Sequence, residues 1–391
     1  MHFKGKVIFH IIISLLVVML ATMPVFAAPA EDSGSTTKED VKVNEETTKM
    51  VFLLIIDGLQ DDALKNVSAP NIKGLSSAGL KVEKVASVYP ADTVSAVASV
   101  LTGSTPQQHH FTEETTTLEA ASILQVMEGK GIKTSLFDGT EKLKAFSNGV
   151  SHACTGPFNG KDSLVIENAV NELKDSNTYF NVLVLPQLRS IYQQQGINSN
   201  EYREQLKDTD NQVGRLLHFL HTNELYDQSL IIITGTCGNL PLIIKGPQVK
   251  VGDTIPPASL IDIAPTVAYL NGLKMDGAEG LVLYNAIKPK GNRTESYLLS
   301  QRVQELSGAY ANALDDMHRL EEEKNEVNKQ QKKITQEKQM IQQEIKERDQ
   351  KISALSSKIT FMKVAGISLL IIFIIGYIIE YIILRKRFLM F

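Results

Sequence analysis

The chain has 391 residues, of which 43% are hydrophobic and 21% charged, with a formal net charge of −4. That length accommodates a full α/β domain with accessory segments. The slightly acidic balance excludes the broad basic surface of a nucleic-acid-binding protein, and two cysteines are too few for a disulfide framework.

At the N-terminus Lys4 and Lys6 precede an apolar run from Val7 to Leu20, followed by Val25-Phe26-Ala27-Ala28. This order of charged, apolar and small residues is that of a secretory signal peptide over residues 1–27, with cleavage expected after Ala27. A retained N-terminal anchor is the alternative, although the apolar run is short for a span. Residues 28–49 are rich in Ala, Glu, Ser, Thr and Lys and form an expected flexible linker. From 50 to 290 the composition is that of a globular domain.

That domain opens on Val51–Gly58, VFLLIIDG, a run apolar on both faces, which suits a strand in the middle of a covered sheet. Asp57 then stands at the carboxyl end of the strand, where open α/β sheets place their ligands. The plainer alternative is that Asp57 caps the following helix. Further strands are expected at Ile132–Phe137, Asn181–Leu185, Leu230–Thr234 and Leu242–Lys245. Helical patterns lie between and around them at Thr93–Leu101, Leu118–Lys130, Ser163–Leu173, Glu201–Asn223 and Leu260–Asn271. Such alternation implies an α/β three-layer sandwich with a mostly parallel central sheet. Cys154 and Cys237 both fall in this domain and would be free to pair in an oxidising compartment.

Beyond Gly291 the pattern changes. From Val303 a four–three spacing of apolar residues runs through Leu306, Tyr310 and Leu320 to Ile352, Leu355, Ile359 and Met362, missing at Lys324, Gln331, Lys338 and Arg348. It predicts a coiled coil over 300–362, roughly 90 Å long at 1.5 Å per residue, and a homo-oligomer with the dimer as default. A single solvated helix laced with charge pairs is the alternative. Val364–Leu384 is then long and apolar enough to span a bilayer. The basic tail 385–391, opening Arg385-Lys386-Arg387, predicts a cytoplasmic C-terminus and an extracytoplasmic domain at the cell membrane. Glu380, close to the interface and to those cations, reads as tolerated there rather than as part of an ion path.

Six ordered blocks carry a family resemblance. They are IIDGLQDDAL (55–64), SAPNIKGLSSAGLKV (68–82), VYPADTVSAVASVLTGSTPQQHH (88–110), LKDTDNQVGRLLHFL (206–220), PLIIKGP (241–247) and LIDIAPTVAYLNGL (260–273). Together they resemble the alkaline phosphatase superfamily, closest to its type I phosphodiesterase/nucleotide pyrophosphatase branch. The resemblance implies two divalent metals, typically zinc, about 4 Å apart, clamping the oxygens of a phosphoryl transfer. It implies Asp57 as a metal ligand and Thr93 as the nucleophile.

At the family's other ligand positions this chain departs. Where the resemblance implies Pro-Asp-x-Asp-x-x-Gly-His-x-x-Gly, the segment from Pro186 to Gly196 places Arg189 and Gln193 at ligand positions. Where it implies Ser-Asp-His-Gly, the chain reads Gly235-Thr236-Cys237-Gly238, and no His follows before His318. A guanidinium cannot coordinate a cation, and amide and hydroxyl oxygens are weak zinc ligands. Arg189 would instead pair with Asp57, a positive charge in place of the metal.

The remaining candidates are weaker. His109 and His110 read as structural. His152 stands in loop-like sequence near Cys154. His218 and His221 have a metal-compatible spacing on an expected helix, without a third ligand. No Gly-rich phosphate loop is present. The expectation is therefore a catalytically degenerate domain that binds an anionic small molecule or acts as a scaffold on a coiled stalk, with no cofactor. The alternative is an active metal-dependent phosphoric ester hydrolase, with Thr93 as nucleophile, rearranged ligands, and zinc or another divalent ion. A third reading leaves the function to the coil and span.

Overall fold

A computed structural model describes residues 48–115 and 117–389 of the chain. The signal-peptide segment, the linker as far as residue 47 and the last two tail residues lie outside the described residues. The strands are β1 (Met50–Ile56), β2 (Leu80–Val82), β3 (Val85–Ala86), β4 (Thr134–Asp138), β5 (His152–Cys154), β6 (Phe180–Leu185), β7 (Ser229–Thr234), β8 (Leu242–Lys245), β9 (Thr254–Ile255) and β10 (Ala258–Ser259). Eight of them form one sheet in the order β5-β4-β6-β1-β7-β8-β2-β9, and β10 pairs with β3 beside it. The run from β5 to β7 is parallel, with Leu53 opposite Val182 of β6 and Ile232 of β7. β8 runs antiparallel to both β7 and β2, so the sheet is mixed.

The unbroken apolar run of β1 is explained by its central place. Val51, Leu53 and Ile55 point into one core, while Met50, Phe52, Leu54 and Ile56 point into the other. The first core is closed by helices Thr93–Thr102, Ile123–Glu128 and Ile263–Leu270. The second is closed by helices Asp61–Asn66, Pro70–Ala78, Asp162–Asp175, Gln187–Gln195 and Asn200–Thr222. This is the expected three-layer α/β sandwich. Period-two alternation along a strand buried on both faces leaves no polar side.

Two elements differ from the sequence expectation for local reasons. The helix expected from Leu118 begins only at Ile123, because Ser122 and Gln125 form a reciprocal capping box that sets its start. His152 lies on edge strand β5, not in a loop, and pairs with Glu172 at 3.2 Å. Cys154 ends that strand, and β4, β6 and β1 lie between β5 and β7, after which Cys237 follows. Both thiols are accordingly free.

The helix Asn200–Thr222 fastens a neighbour. Buried Asp210 accepts hydrogen bonds from the backbone N–H of Asn71 at 3.2 Å and of Ile72 at 2.8 Å, and from Asn71 Nδ2 at 2.9 Å. These are the orphan N–H groups at the start of helix Pro70–Ala78, whose own N-cap residue, Ala69, has no side chain to offer.

The last element is one helix, Glu295–Phe388. Its first turns dock on the domain: Leu298 and Arg302 are buried, Arg302 donates to the Val282 carbonyl at 3.0 Å, and Glu305 accepts from Val282 N at 3.0 Å and Tyr284 Oη at 3.2 Å. Thereafter its large apolar side chains are exposed along its length. The end of this helix is long and apolar enough to cross a membrane.

Candidate functional site

Because β1 lies between β6 and β7, the segments that leave these three strands converge at one end of the sheet. Asp57 and Gly58 follow β1, Pro186 and the helix Gln187–Gln195 follow β6, and Gly235–Gly238 follow β7. The start of helix Thr93–Thr102 faces the same place, its N-terminus capped by Asp92, whose Oδ1 accepts from Ser95 N at 2.8 Å. Gly103 in left-handed geometry (φ 69°) ends that helix, where a Cβ would lie 2.9 Å from Pro265. Of the six residues singled out by sequence, Asp57, Thr93, Arg189 and Gln193 line one cleft, and Thr236 and Cys237 lie buried behind it against Asp57 and Arg189.

Asp57 is 2% exposed, and both of its carboxylate oxygens are taken by hydroxyl groups. Thr93 Oγ1 donates to Oδ2 at 2.6 Å, and Thr236 Oγ1 donates to Oδ1. The same Thr236 oxygen accepts from Gly58 N at 3.4 Å. Asp57 therefore does not cap a helix. Burial pushes its carboxyl above the ordinary carboxylate range, and the two hydroxyl donors and the more distant Arg189 and Lys142 cations oppose that shift. Gly58 takes φ 90°, and a Cβ there would stand 2.9 Å from Arg189 Cα. The tight turn lets two backbones touch, and Tyr202 Oη holds it by donating to the Gly58 carbonyl at 2.9 Å.

Arg189 departs from expectation. Its guanidinium does not pair with Asp57 but donates from Nη1 to Cys237 Sγ and from Nη2 to the Ala91 carbonyl at 3.4 Å. One turn along the same helix, the Gln193 amide lies against the guanidinium, and with its oxygen turned towards Arg189 it accepts from Nε at 3.1 Å. The Asp57 oxygens accept instead from the Thr93 and Thr236 hydroxyls. Cys237 is buried, and that burial raises its thiol pKa against the lowering effect of Arg189. Gln60 Nε2 donates to the Cys237 carbonyl at 2.6 Å, tying the β7 loop back to the β1 loop.

Sequence reading missed the groups that support and line the site. Asp162 accepts from Gln187 N at 3.0 Å and Thr209 Oγ1 at 2.7 Å, fixing the start of the helix that carries Arg189. Burial pushes its pKa up to about 6. Beyond β4, Asp138 accepts from Thr140 N at 2.9 Å and Leu143 N at 2.7 Å, folding a turn that carries Lys142. Lys142 lines the cleft and pairs with Glu113 at 2.7 Å. The cleft encloses about 490 Å³ and is lined also by Asp57, Thr93, Glu141, Arg189 and Gln193. The only sequence signal for this wall was the Asp138-Gly139 turn.

The other histidines lie elsewhere. His109 is buried, with Nδ1 accepting from Phe111 N at 3.0 Å and Nε2 bonded to Ser99 Oγ at 2.9 Å. Burial lowers its pKa to about 4, so it is a neutral structural group. His110 pairs with Glu119 at 3.0 Å. His218 and His221 are on the exposed side of their helix, where His221 stacks on Tyr226.

These donors do not fit a dinuclear zinc centre. Such a centre takes imidazole, carboxylate or thiolate ligands at near-tetrahedral positions. Around Asp57 the neighbours are two hydroxyls, a guanidinium, an amide and a thiol that the guanidinium contacts. The nearby carboxylates are committed, Asp92 to Ser95, Glu113 to Lys142, and Glu141 to Phe158 N at 2.8 Å. Among the described residues, no group of three or more His, Cys, Asp or Glu side chains is placed to hold a metal ion.

Comparison with known proteins agrees with the fold. Murine ectonucleotide pyrophosphatase/phosphodiesterase 5, solved as an inactive variant in complex with AMP, superposes with a TM-score of 0.53 at 12% identity, covering 59% of this chain and 97% of that one. Phosphonate monoester hydrolase from Silicibacter pomeroyi gives 0.51 at 16% identity, covering 60% and 76%. A protein solved with its substrate D-glucosamine-2-N,6-O-disulfate gives 0.50 at 14% identity, covering 63% and 81%. No curated protein matches the chain in sequence. The family model for type I phosphodiesterase/nucleotide pyrophosphatase matches residues 51–131 and 140–356, and the chain belongs to that family.

Proposed function

We propose that the domain binds a phosphoric or sulfuric ester anion without cleaving it, and that the C-terminal helix holds it at a membrane. The observation that carries this reading is the double hydroxyl occupancy of Asp57, beside Arg189, Gln193, Thr236 and Cys237 at the positions where relatives would place metal ligands. Hydroxyl donors substitute for metal as partners of the carboxylate, so Asp57 becomes an acceptor that shapes the cleft rather than a ligand. Lys142 and Arg189 supply the positive charge on a cleft wall that Asp57, Asp92, Glu113 and Glu141 also line, with Lys142 paired to Glu113. Anion recognition by lysine and arginine needs no metal.

Titration of the full chain in detergent with AMP, inorganic phosphate and glucosamine 6-sulfate tests the reading. The expected result is saturable binding of at least one anion with no product released. Lys142→Ala is expected to weaken that binding by about 10- to 100-fold, the loss of one charge-assisted hydrogen bond. Turnover of an aryl phosphate or phosphodiester that vanishes in Thr93→Ala would instead establish the hydrolase reading.

Placement at the membrane rests on Val364–Leu384, and orientation on the cations that follow. Arg385, Lys386 and Arg387 favour the cytoplasmic side, which puts the domain outside.

A further inference from the structure

One seven-residue frame runs without interruption through the helix Glu295–Phe388, from Val303 to Ile383. Taking Val303 as position a and Leu306 as d, the apolar seam of the coil reaches Met362 at d. The same frame then enters the apolar segment. There Gly366, Phe373 and Glu380 fall at a, and Leu369, Gly376 and Ile383 at d. Both glycines of Val364–Leu384 and its sole charged residue thus lie on the seam. With two seam positions in seven, that placement of three residues is roughly a one-in-forty coincidence.

From this we infer that two copies of the chain pair in parallel and in register along a single seam that continues from the stalk through the membrane span. The seam side chains are exposed along the helix, and three observations identify a second copy as what covers them. The first is the span itself. In lipid, apolar bulk does not drive helices together, whereas small residues let backbones approach and a carboxyl group gains by facing another helix. Gly366, Gly376 and Glu380 sit where those rules need them only if the partner lies on the a/d face.

The second observation is charge. The misses in the soluble seam are Lys324, Lys338 and Arg348 (cations) and Gln331 (neutral). Lys324 and Lys338 occupy a and follow Glu323 and Glu337 at g, while Arg348 occupies d and precedes Asp349 at e. In a parallel pair, a knob at a packs beside the partner's preceding g residue, and a knob at d beside the partner's following e residue. Lys324, Lys338 and Arg348 each face their own copy across the layer, and Glu323, Glu337 and Asp349 of the partner subunit stand beside them and offset that repulsion. Gln331 at a forms a neutral amide layer of the kind that fixes register. The outer g and e positions of successive heptads offer no opposite-charge pair across the interface. They set Asp316 beside Glu321 of the partner subunit, Glu344 beside Asp349 of the partner subunit and Lys358 beside Lys363 of the partner subunit, like charges at the solvated rim, so register is set by the core layers. Antiparallel pairing would put g beside g and e beside e, and would place the two basic tails on opposite sides of the bilayer.

The third observation is the strict seven-residue repeat. An unpartnered straight helix drifts by about 20° per heptad against such a repeat, and only supercoiling about a partner keeps the seam facing inward. Ile345, Ile352 and Ile359 at a with Leu306, Leu320 and Leu355 at d favour two strands, and Ile334 and Ile341 at d are the positions that pull towards three or more. The inference is independent of what the cleft binds.

The test uses the full chain in detergent and in lipid vesicles. Its mass with detergent subtracted is expected to be that of two copies. Under copper–phenanthroline oxidation, Ile352→Cys and Leu369→Cys on the seam are expected to cross-link at least tenfold more than Ser357→Cys and Ile371→Cys on the opposite face, with the parent chain as blank. Gly376→Ile is expected to weaken the detergent-solubilised dimer at least tenfold. A mass of one copy or of three or more, or equal cross-linking on the two faces, would overturn the proposal.

Discussion

Asp57→Ala is expected to lower the stability of the metal-free chain by about 2–3 kcal/mol, because it removes the acceptor of two hydroxyl donors and strands one of them in a dry place. Thr236 is 0% exposed and gains no water in exchange, while Thr93, 7% exposed, lines the cleft. Asp57→Asn keeps one acceptor oxygen and is expected to cost about 1 kcal/mol. The sign is diagnostic. A carboxylate kept for a metal is generally a burden without that metal, whereas this one is a hydrogen-bond hub. Urea unfolding with and without chelator measures the effect, and the curves are expected to coincide. The pH dependence has a definite direction as well. Asp57 holds its proton to higher pH in the folded chain than at its ordinary value of 3.8. Its contribution is therefore fully present below that value and is lost as pH rises through the folded pKa. Asp57→Asn removes this part of the slope.

The second large effect lies away from the cleft. Asp210 is 1% exposed and receives two backbone N–H groups and the Asn71 amide. Asp210→Ala is expected to cost about 3 kcal/mol, since charged hydrogen bonds are lost and buried helix N–H groups are left unpaired. Helix Pro70–Ala78 contributes Ile72 and Leu75 to the second core, so its loosening should propagate there. Asp210→Asn retains one acceptor and is expected to recover roughly half of that loss. The shift in urea midpoint at unchanged slope gives the number.

These two carboxylates show what could be read from sequence and what could not. β1 was legible because seven apolar residues in a row leave only the centre of a covered sheet. Helices Thr93–Thr102 and Asn200–Thr222 were legible from their period, and the structure adds Asp92 and Ser199 as their caps. Strands β2, β3, β5, β9 and β10 are two or three residues long, too short for any alternation to register. Asp210 lies inside a block that resembles the family, yet its bond to Asn71 spans 139 positions and has no local signature. In the site, the substituted positions could be located because Pro186 and Gly196 bracket one and the end of β7 precedes the other. The partner of Arg189 could not. Charge alone favours Asp57, whereas the guanidinium donates to Cys237. Lys142 escaped notice because the turn that carries it follows a strand whose end differed by one residue from the expected one.

A cleft organised in this way changes how its family membership should be tested. The sheet is that of the type I phosphodiesterase/nucleotide pyrophosphatase family, while the polar groups around Asp57 satisfy one another. The most direct measurement is the metal content of the full chain after equilibration with zinc and removal of free ion, with its thermal midpoint followed alongside. The account predicts far less than one zinc per chain and a midpoint indifferent to zinc or chelator. Two zinc ions per chain, with aryl phosphodiester turnover abolished in Thr93→Ala, would contradict it.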